Sequence, residues 1–317
     1  MARLVTLGET LGVAWTDVGE PLRTARTMHL STAGAESTVA IGMHRLGHEA
    51  SWIGVIGADD VGERVRRDLA AEGVDLRFVR TQAEARTGFM LRDRRSVEHL
   101  TVSYYRNGSA GSLLTVEDVD AAFDVLDDIA VLHVTGITPA LSESCADAVT
   151  RAVERAHEAG AEVSFDVNYR ATLPGSGQAA DRARALVAHT DVLFVGHDEM
   201  HVLTGDADLS RAAEYLLAQG PSEVIIKRGP DGASAYLADG TCASRPAIAL
   251  QIADVIGAGD SFVAGYLAAR AELRPVEQRL TWGVVCAACT VGTHGDWEGL
   301  PTQPELARRS HGYATIR

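Results

Sequence analysis

The sequence predicts an α/β fold, a mostly parallel central sheet between two layers of helices, with a small β-sheet lid. Three observations lead there. After Thr115, strand-like and helix-like runs alternate in the rhythm of βαβ units. Between residues 74 and 103 the runs are short, rich in β-formers and separated by charged turns, as in antiparallel strands. Finally, Asp254-Val255-Ile256-Gly257-Ala258-Gly259-Asp260 runs straight into the small, apolar stretch 261–267, a turn that opens a helix.

Residues 4–7 read as a buried strand, and Gly8-Glu9-Thr10 turns into a second extended segment at 11–15. Composition is turn-like over 17–26, while 27–31 mixes polar and apolar positions like an exposed strand. Residues 35–46 form a helix of small side chains stopped by Gly47. A strand at 51–56 and a helix at 61–71 follow. Runs at 76–79, 88–91 and 97–102, with segments near 10–16 and 27–31, are the candidate lid strands.

Then come a strand at 130–135, a helix at 142–159, strands at 162–167 and 191–195, helices at 197–203 and 209–218, and a strand at 223–227. A hairpin passes through Pro230-Asp231-Gly232, Gly175-Ser176-Gly177 reads as a polar loop, and 282–291 as an apolar helical run. Parallel sheets of this kind bind ligands at the C-terminal ends of their strands. That puts weight on Gly136, on Asp166-Val167-Asn168-Tyr169-Arg170 and on Lys227-Arg228-Gly229.

A chain of 317 residues can bury a sizeable core. Its formal charge of −14 and pI near 5.2 argue against nucleic-acid or anionic-membrane partners, which call for a field of the opposite sign. An anionic substrate would therefore need locally placed arginines. The four cysteines lack the density of a disulfide scaffold, and Cys286-x-x-Cys289 sits in an apolar helical run, where core packing is the expected role. With no signal-peptide pattern and no apolar run of about twenty residues, the expectation is a soluble, cytoplasmic protein.

Gly257, Ala258 and Gly259 carry almost no side-chain bulk, so several free N–H groups should gather at a helix N-terminus and form an anion site. Asp260 at its mouth would repel an anion but is well placed as a base, if a hydroxyl must lose its proton while attacking a phosphorus held there. The alternative is a glycine-rich loop with an aspartate capping a helix. No G-x-x-x-x-G-K-[ST] is present, and Gly175-Ser176-Gly177-Gln178-Ala179-Ala180 lacks the preceding strand of a dinucleotide site.

The Asp-x-x-Gly-Ala-Gly-Asp turn and its small-residue helix resemble the C-terminal signature of the ribokinase-like sugar kinases, the PfkB family. Residues 33–40 (Ala-Gly-Ala-Glu-Ser-Thr-Val-Ala), Leu46-Gly47 and Gly54-Val55-Ile56-Gly57-Ala58-Asp59 resemble its N-terminal signature. The likeness covers nearly the whole chain. It implies one ribokinase-like three-layer α/β/α domain over residues 1–317, with lid strands from about 10–31 and 75–104. It also implies ATP and Mg2+ as reaction partners and a homo-oligomer, a dimer through the lid or larger. By resemblance Asp260 is the catalytic aspartate, and the backbone of Gly257, Ala258 and Gly259 stabilises the transferring phosphoryl group. Lys227, Gly229 and Gly232 belong to the nucleotide side, with the adenine pocket between that hairpin and residues 284–295. Glu199 stands where many relatives carry N-x-x-E, associated with magnesium and phosphate; Gly196 replaces the asparagine, so only Glu199 carries over, and a first-turn helix acid is its alternative. A monovalent cation near Asp254 and the loop before Trp297 also belongs to the expectation.

Residues 103–112 (Ser-Tyr-Tyr-Arg-Asn-Gly-Ser-Ala-Gly-Ser) resemble the Tyr-Tyr-Arg-x-Gly-Ser-Ala stretch of 2-keto-3-deoxygluconate kinases. An α-keto carboxylate is planar and anionic, and arginine offers it a two-pronged, charge-assisted clamp. Arg106 and Arg170 are the candidates. Tyr104 would supply a hydroxyl and an apolar wall, and Gly34 a close backbone approach, while Phe89 either packs over the ligand or within the lid sheet. Tyr105 should face the other way. Thr38 replaces the asparagine with which many relatives bind sugar hydroxyls. The alternatives are a kinase of a neutral sugar such as fructose or ribose, and a non-catalytic sugar-binding protein.

Overall fold

A computed structural model describes residues 1–94, 100–169, 176–206, 208–248 and 251–310. Two sheets organise them. The larger has nine strands in the order β13-β12-β11-β10-β9-β8-β1-β4-β5, built from β1 (Arg3–Leu7), β4 (Glu49–Gly57), β5 (Val79–Gln82), β8 (Ile129–Thr135), β9 (Glu162–Asp166), β10 (Val192–Gly196), β11 (Glu223–Lys227), β12 (Ala233–Leu237) and β13 (Cys242–Arg245). All neighbours from β5 through β11 are parallel, and β12 and β13 turn back as an antiparallel edge. β2 (Leu11–Trp15), β3 (His29–Ala33), β6 (Phe89–Arg94) and β7 (Leu100–Tyr105) form the four-stranded lid, in the order β3-β2-β6-β7.

Alternation along the strands feeds two cores, one on each face of the large sheet. Val5 and Leu7 point to the side covered by α3 (Val116–Phe123), α4 (Glu143–Glu158), α5 (Ser176–Val187), α6 (His197–Thr204) and α7 (Leu209–Leu217). Leu4 points to the side of α1 (Ala35–Arg45), α2 (Asp60–Ala71), α8 (Ala258–Ala271), α9 (Val276–Val291) and α10 (Gln303–Ser310). The helices follow their sequence signals. In α4, Cys145, Ala148, Val149, Ala152, Val153 and Ala156 recur at helical spacing and are buried, and the Ser142 hydroxyl caps the first turn by accepting from Cys145 N at 3.1 Å, a contact worth about 1 kcal/mol. Cys286 and Cys289 are buried in α9, and burial pushes both thiols up.

Four expectations change. The strand at 79–82 joins the large sheet beside β4 instead of the lid, because its ladder partner is Gly54 to Gly57. Of the stretch read as a polar loop at 175–177, Ser176 and Gly177 open α5. Helices α3 and α10 are additional. The charged run after Leu91, read as a turn, is strand: Arg92 and Arg94 belong to β6 and are buried, alternating with the more exposed Leu91 and Asp93.

Candidate active site

Strand order reverses around β1, whose neighbours β4 and β8 lie on opposite sides, and at such a switch point the strand ends leave a crevice. The lid covers it. The result is a cavity of about 1050 Å3, walled by segments that follow β1 (Glu9), β3 (Gly34), β8 (Ile137), β9 (Asn168, Tyr169), β10 (His197 to Glu199) and β11 (Arg228 to Pro230), together with the turn before α8.

That turn requires its first glycine. Gly257 has φ 78°, and a Cβ there would sit 2.7 Å from Asp296 Cα. Ser261 N is the first amide of α8 to bond back, to Gly257 O at 2.9 Å, so the amides of Ala258, Gly259 and Asp260 have no acceptor within the helix. Gly257, Gly259 and Asp260 line the cavity, and the positive end of the α8 dipole faces it. Asp260 Oδ1 accepts from Asn168 Nδ2 at 3.1 Å. Asn168 itself has φ 36°, a left-handed conformation that asparagine tolerates better than most residues.

Lys227 brings a positive charge to the same spot. Its Nζ binds both carboxylate oxygens of the buried Asp166, at 2.7 and 2.6 Å, and lies 3.5 Å from where a Cβ on Gly259 would be. Burial alone would depress this ammonium, but Asp166, Glu199 and Asp260 outweigh it and hold its pKa above the ordinary lysine value. Glu199 caps α6 through Gly196 N at 2.6 Å and also accepts from Tyr169 N at 2.7 Å. Burial, reinforced by Asp166, raises its pKa although Lys227 and the two amides pull the other way.

Among the described residues no group of three or more His, Cys, Asp or Glu side chains has the makings of a metal cage. Glu199 and Asp260 are carboxylates that line the cavity, and Mg2+ binds through one or two carboxylates plus substrate phosphates while keeping most of its waters.

The lid end of the cavity is built from buried charges. Arg106 Nη2 meets Glu9 Oε2 at 2.5 Å, with side-chain exposures of 9% and 1%. Ser109 Oγ donates to the other Glu9 oxygen, and the guanidinium stands over the Tyr104 ring, 5.6 Å from its centroid. Arg106 Nε is buried without a hydrogen-bond partner. Glu36 accepts from Thr135 and Thr138 at 2.7 and 2.6 Å, and burial lifts its carboxyl above the usual range despite those hydroxyls and Arg106.

The cavity thus brings together Gly34, Tyr104, Arg106, Glu199, Lys227, Gly229, Gly257, Gly259 and Asp260. Ala258 supplies an amide to the same turn. Thr38 does not line it: four residues past Gly34, about one helical turn, its hydroxyl is fully buried and unpartnered inside the fold. Nor does Phe89. It covers Gly12, and the next residue, Met90, pairs with Tyr104 and lines the cavity, since neighbours on a strand face opposite ways. Gly232, at φ 87°, closes the hairpin behind Gly229 and is not part of the wall. Arg170 lies outside the described residues, as do Gly175 and residues 97–99. Sequence reasoning assigned no role to Glu9, Glu36, Asp166 or Asn168. The last two stand at the end of β9, where a strand-end signal was visible; the two glutamates are singled out only by burial.

Comparison with known proteins agrees over nearly the whole length. The model of the pfkB family of carbohydrate kinases matches residues 1–303. A 2-dehydro-3-deoxygalactonokinase of Haloferax volcanii is 35% identical over 314 residues, covering 98% of this chain and 97% of that protein. A 2-dehydro-3-deoxygluconokinase of Bacillus subtilis is 34% identical over 307 residues, covering 96% and 94%. Among solved structures, an E. coli protein provisionally called ribokinase II, in complex with ATP and Mg2+, superposes with a TM-score of 0.91 at 25% identity, covering 99% of this chain and all of that one.

Proposed function

The chain belongs to the pfkB family of carbohydrate kinases, and from that premise we propose that it phosphorylates a 2-keto-3-deoxy sugar acid, 2-keto-3-deoxygluconate in the first instance, at its 6-hydroxyl with ATP. One observation carries the substrate reading: Arg106, a mostly buried guanidinium held against Glu9, lines the lid end of a cavity whose other end holds Asp260, the α8 amides and Lys227. A planar carboxylate is the anion that a guanidinium binds with charge-assisted hydrogen bonds. The two relatives, by name a 2-dehydro-3-deoxygalactonokinase and a 2-dehydro-3-deoxygluconokinase, support a keto-deoxy acid.

In the reaction the 6-hydroxyl oxygen attacks the γ-phosphorus of ATP while its proton passes to the Asp260 carboxylate. The bond between that phosphorus and the β,γ-bridging oxygen breaks, and ADP leaves. Asn168 orients Asp260 through the bond to Oδ1. The amides of Ala258 and Gly259, with the Lys227 ammonium beside them, stabilise charge on the equatorial phosphoryl oxygens. Magnesium bound with the nucleotide would neutralise part of the polyphosphate charge, with Glu199 holding it through water. Gly229 and Pro230 form the nucleotide-side wall, and lid strands β6 and β7 exclude water from the transfer. The lid exposes Leu30 and Tyr105, with Met28 just before β3, apolar area that suits a dimer formed through this sheet.

The deciding experiment is a panel of acceptors assayed for ATP-dependent phosphorylation, with both keto-deoxy epimers, fructose, ribose, nucleosides and plain aldonic acids. The keto-deoxy acids should be preferred in kcat/KM. A clear preference for fructose or ribose overturns the substrate assignment, and ATP consumption indifferent to every sugar overturns the kinase mechanism.

A further inference from the structure

Two aspartates flank the anion turn. Asp254 lies three residues before Gly257 and is 4% exposed; Asp296, 6% exposed, is the residue whose backbone Gly257 packs against. Carboxylates so near phosphate-binding amides would oppose an incoming polyphosphate unless a cation neutralised them. The inward face of lid strand β6 supplies two. Arg92, fully buried, reaches Asp254 Oδ2 at 3.4 Å and pairs more closely with Asp296 Oδ1. Arg94 donates to the Ala253 carbonyl, meets His294 Nδ1 at 2.6 Å and stands 3.9 Å from Asp254 Oδ2.

Family resemblance gave this same pair of segments, Asp254 and the loop before Trp297, an expected monovalent metal ion. The residues present do not fit one. Asp254 Oδ1 accepts from Ile256 N at 3.2 Å, Asp254 Oδ2 and Asp296 Oδ1 face Arg92, and the Ala253 carbonyl is taken by Arg94. An alkali cation among them would sit against two guanidinium groups in a dry interior, where like charges repel strongly.

We propose that Arg92, supported by Arg94, is the resident cation of the anion turn, so that this kinase works without an activating monovalent metal ion. Arg92 is a positioning residue. It holds Asp254 and Asp296, and through them the Gly257 turn, and it ties the lid to the helix that carries Asp260.

The inference rests on the kinase reading, and two readouts keep their failures apart. In the first, phosphorylation of the keto acid is measured in tetramethylammonium chloride and in KCl or NaCl at equal ionic strength. The rates should agree within about twofold, well below the roughly 5- to 150-fold of a coupled effector. In the second, the thermal midpoint of the intact protein is compared in the same salts, with no shift specific to K+ or Na+ expected, because a cation bound to the folded form would raise it. Saturable stimulation or a saturable rise in midpoint overturns the proposal. If no sugar supports ATP consumption, the functional reading fails while the melting comparison still decides this one. Arg92→Met should acquire a K+ response in midpoint or rate, and Arg92→Lys should not; a folded Arg92→Met protein indifferent to K+ in both also overturns it. Should Arg92→Met fail to fold, the parental comparison decides alone.

Discussion

Replacing Gly257 with alanine tests whether the turn before α8 stabilises the transferring phosphoryl group. The residue has φ 78°, and an L side chain in the left-handed region costs about 1–2 kcal/mol. Its Cβ would also lie 2.7 Å from Asp296 Cα and 2.8 Å from the carbonyl carbon, backbone atoms that cannot rotate away. Overpacking of this kind typically costs about 1–3 kcal/mol. Together these predict a destabilisation of about 2–5 kcal/mol, a substantial part of a typical domain's roughly 5–15 kcal/mol. Relief of the clash must displace the turn, and with it the Ala258 and Gly259 amides, from the positions that meet a phosphoryl oxygen. Losing one donor of such a site costs about 10²–10³ in kcat. Steady-state ADP release at saturating keto acid and ATP should therefore fall by about that factor, with sugar affinity by calorimetry changed much less. A Gly257→Ala enzyme with a lowered melting temperature but kcat within about threefold of the parent would refute the anion-site role of this turn.

Asp260→Asn should keep sugar binding and lose about 10²-fold or more in kcat, the scale of a removed general base; near-parental turnover would take Asp260 out of the mechanism. Arg106→Gln should raise KM for the keto acid about 10- to 100-fold, matching a charge-assisted hydrogen bond of roughly 1.5–3 kcal/mol, and should do little to kcat. It also strands the buried Glu9, so Arg106→Lys is the companion variant, and equal KM values in all three enzymes would remove Arg106 from carboxylate recognition. His133 on β8 is fully buried with Nδ1 3.0 Å from Ser164 Oγ on the neighbouring β9, and burial depresses its pKa to about 4 from an ordinary 6.5, with Asp166 opposing the effect and Lys227 adding to it. The unfolded chain therefore binds a proton below about pH 6.5 that the folded protein refuses until about pH 4, and stability should fall by about 3 kcal/mol as pH drops through that window. Urea midpoints across that pH range should fall less steeply for His133→Gln than for the parent, and parallel curves would contradict the assignment.

The geometry of the α8 turn was legible because it is local: Gly257, Ala258, Gly259 and Asp260 are consecutive, and a helix N-terminus needs nothing distant to expose its amides. Alternation likewise placed Tyr104 inward and Tyr105 outward, and the βαβ rhythm put Lys227 at a strand end that opens on the crevice, while Glu199 was reached only through the family resemblance. The misplaced residues failed for related reasons. Phe89 and Met90 differ by one position in register, and one position on a strand exchanges its faces. The strand at 79–82 has the same short, mixed composition as the lid strands, and only its pairing with β4 assigns it to the large sheet. Arg92 and Arg94 look like an exposed charged turn, because their partners Asp254 and Asp296 lie 162 and 204 residues from Arg92 along the chain.

What the amino-acid order determined by itself was the fold class and the small-residue turn that opens α8, since both rest on short-range periodicity and on one contiguous stretch. Which charges enter the interior, and what neutralises them, was decided only when the lid closed over the sheet. A buried ion's energy depends on the partners that tertiary folding brings within a few ångströms, and neighbours in sequence carry little of that information.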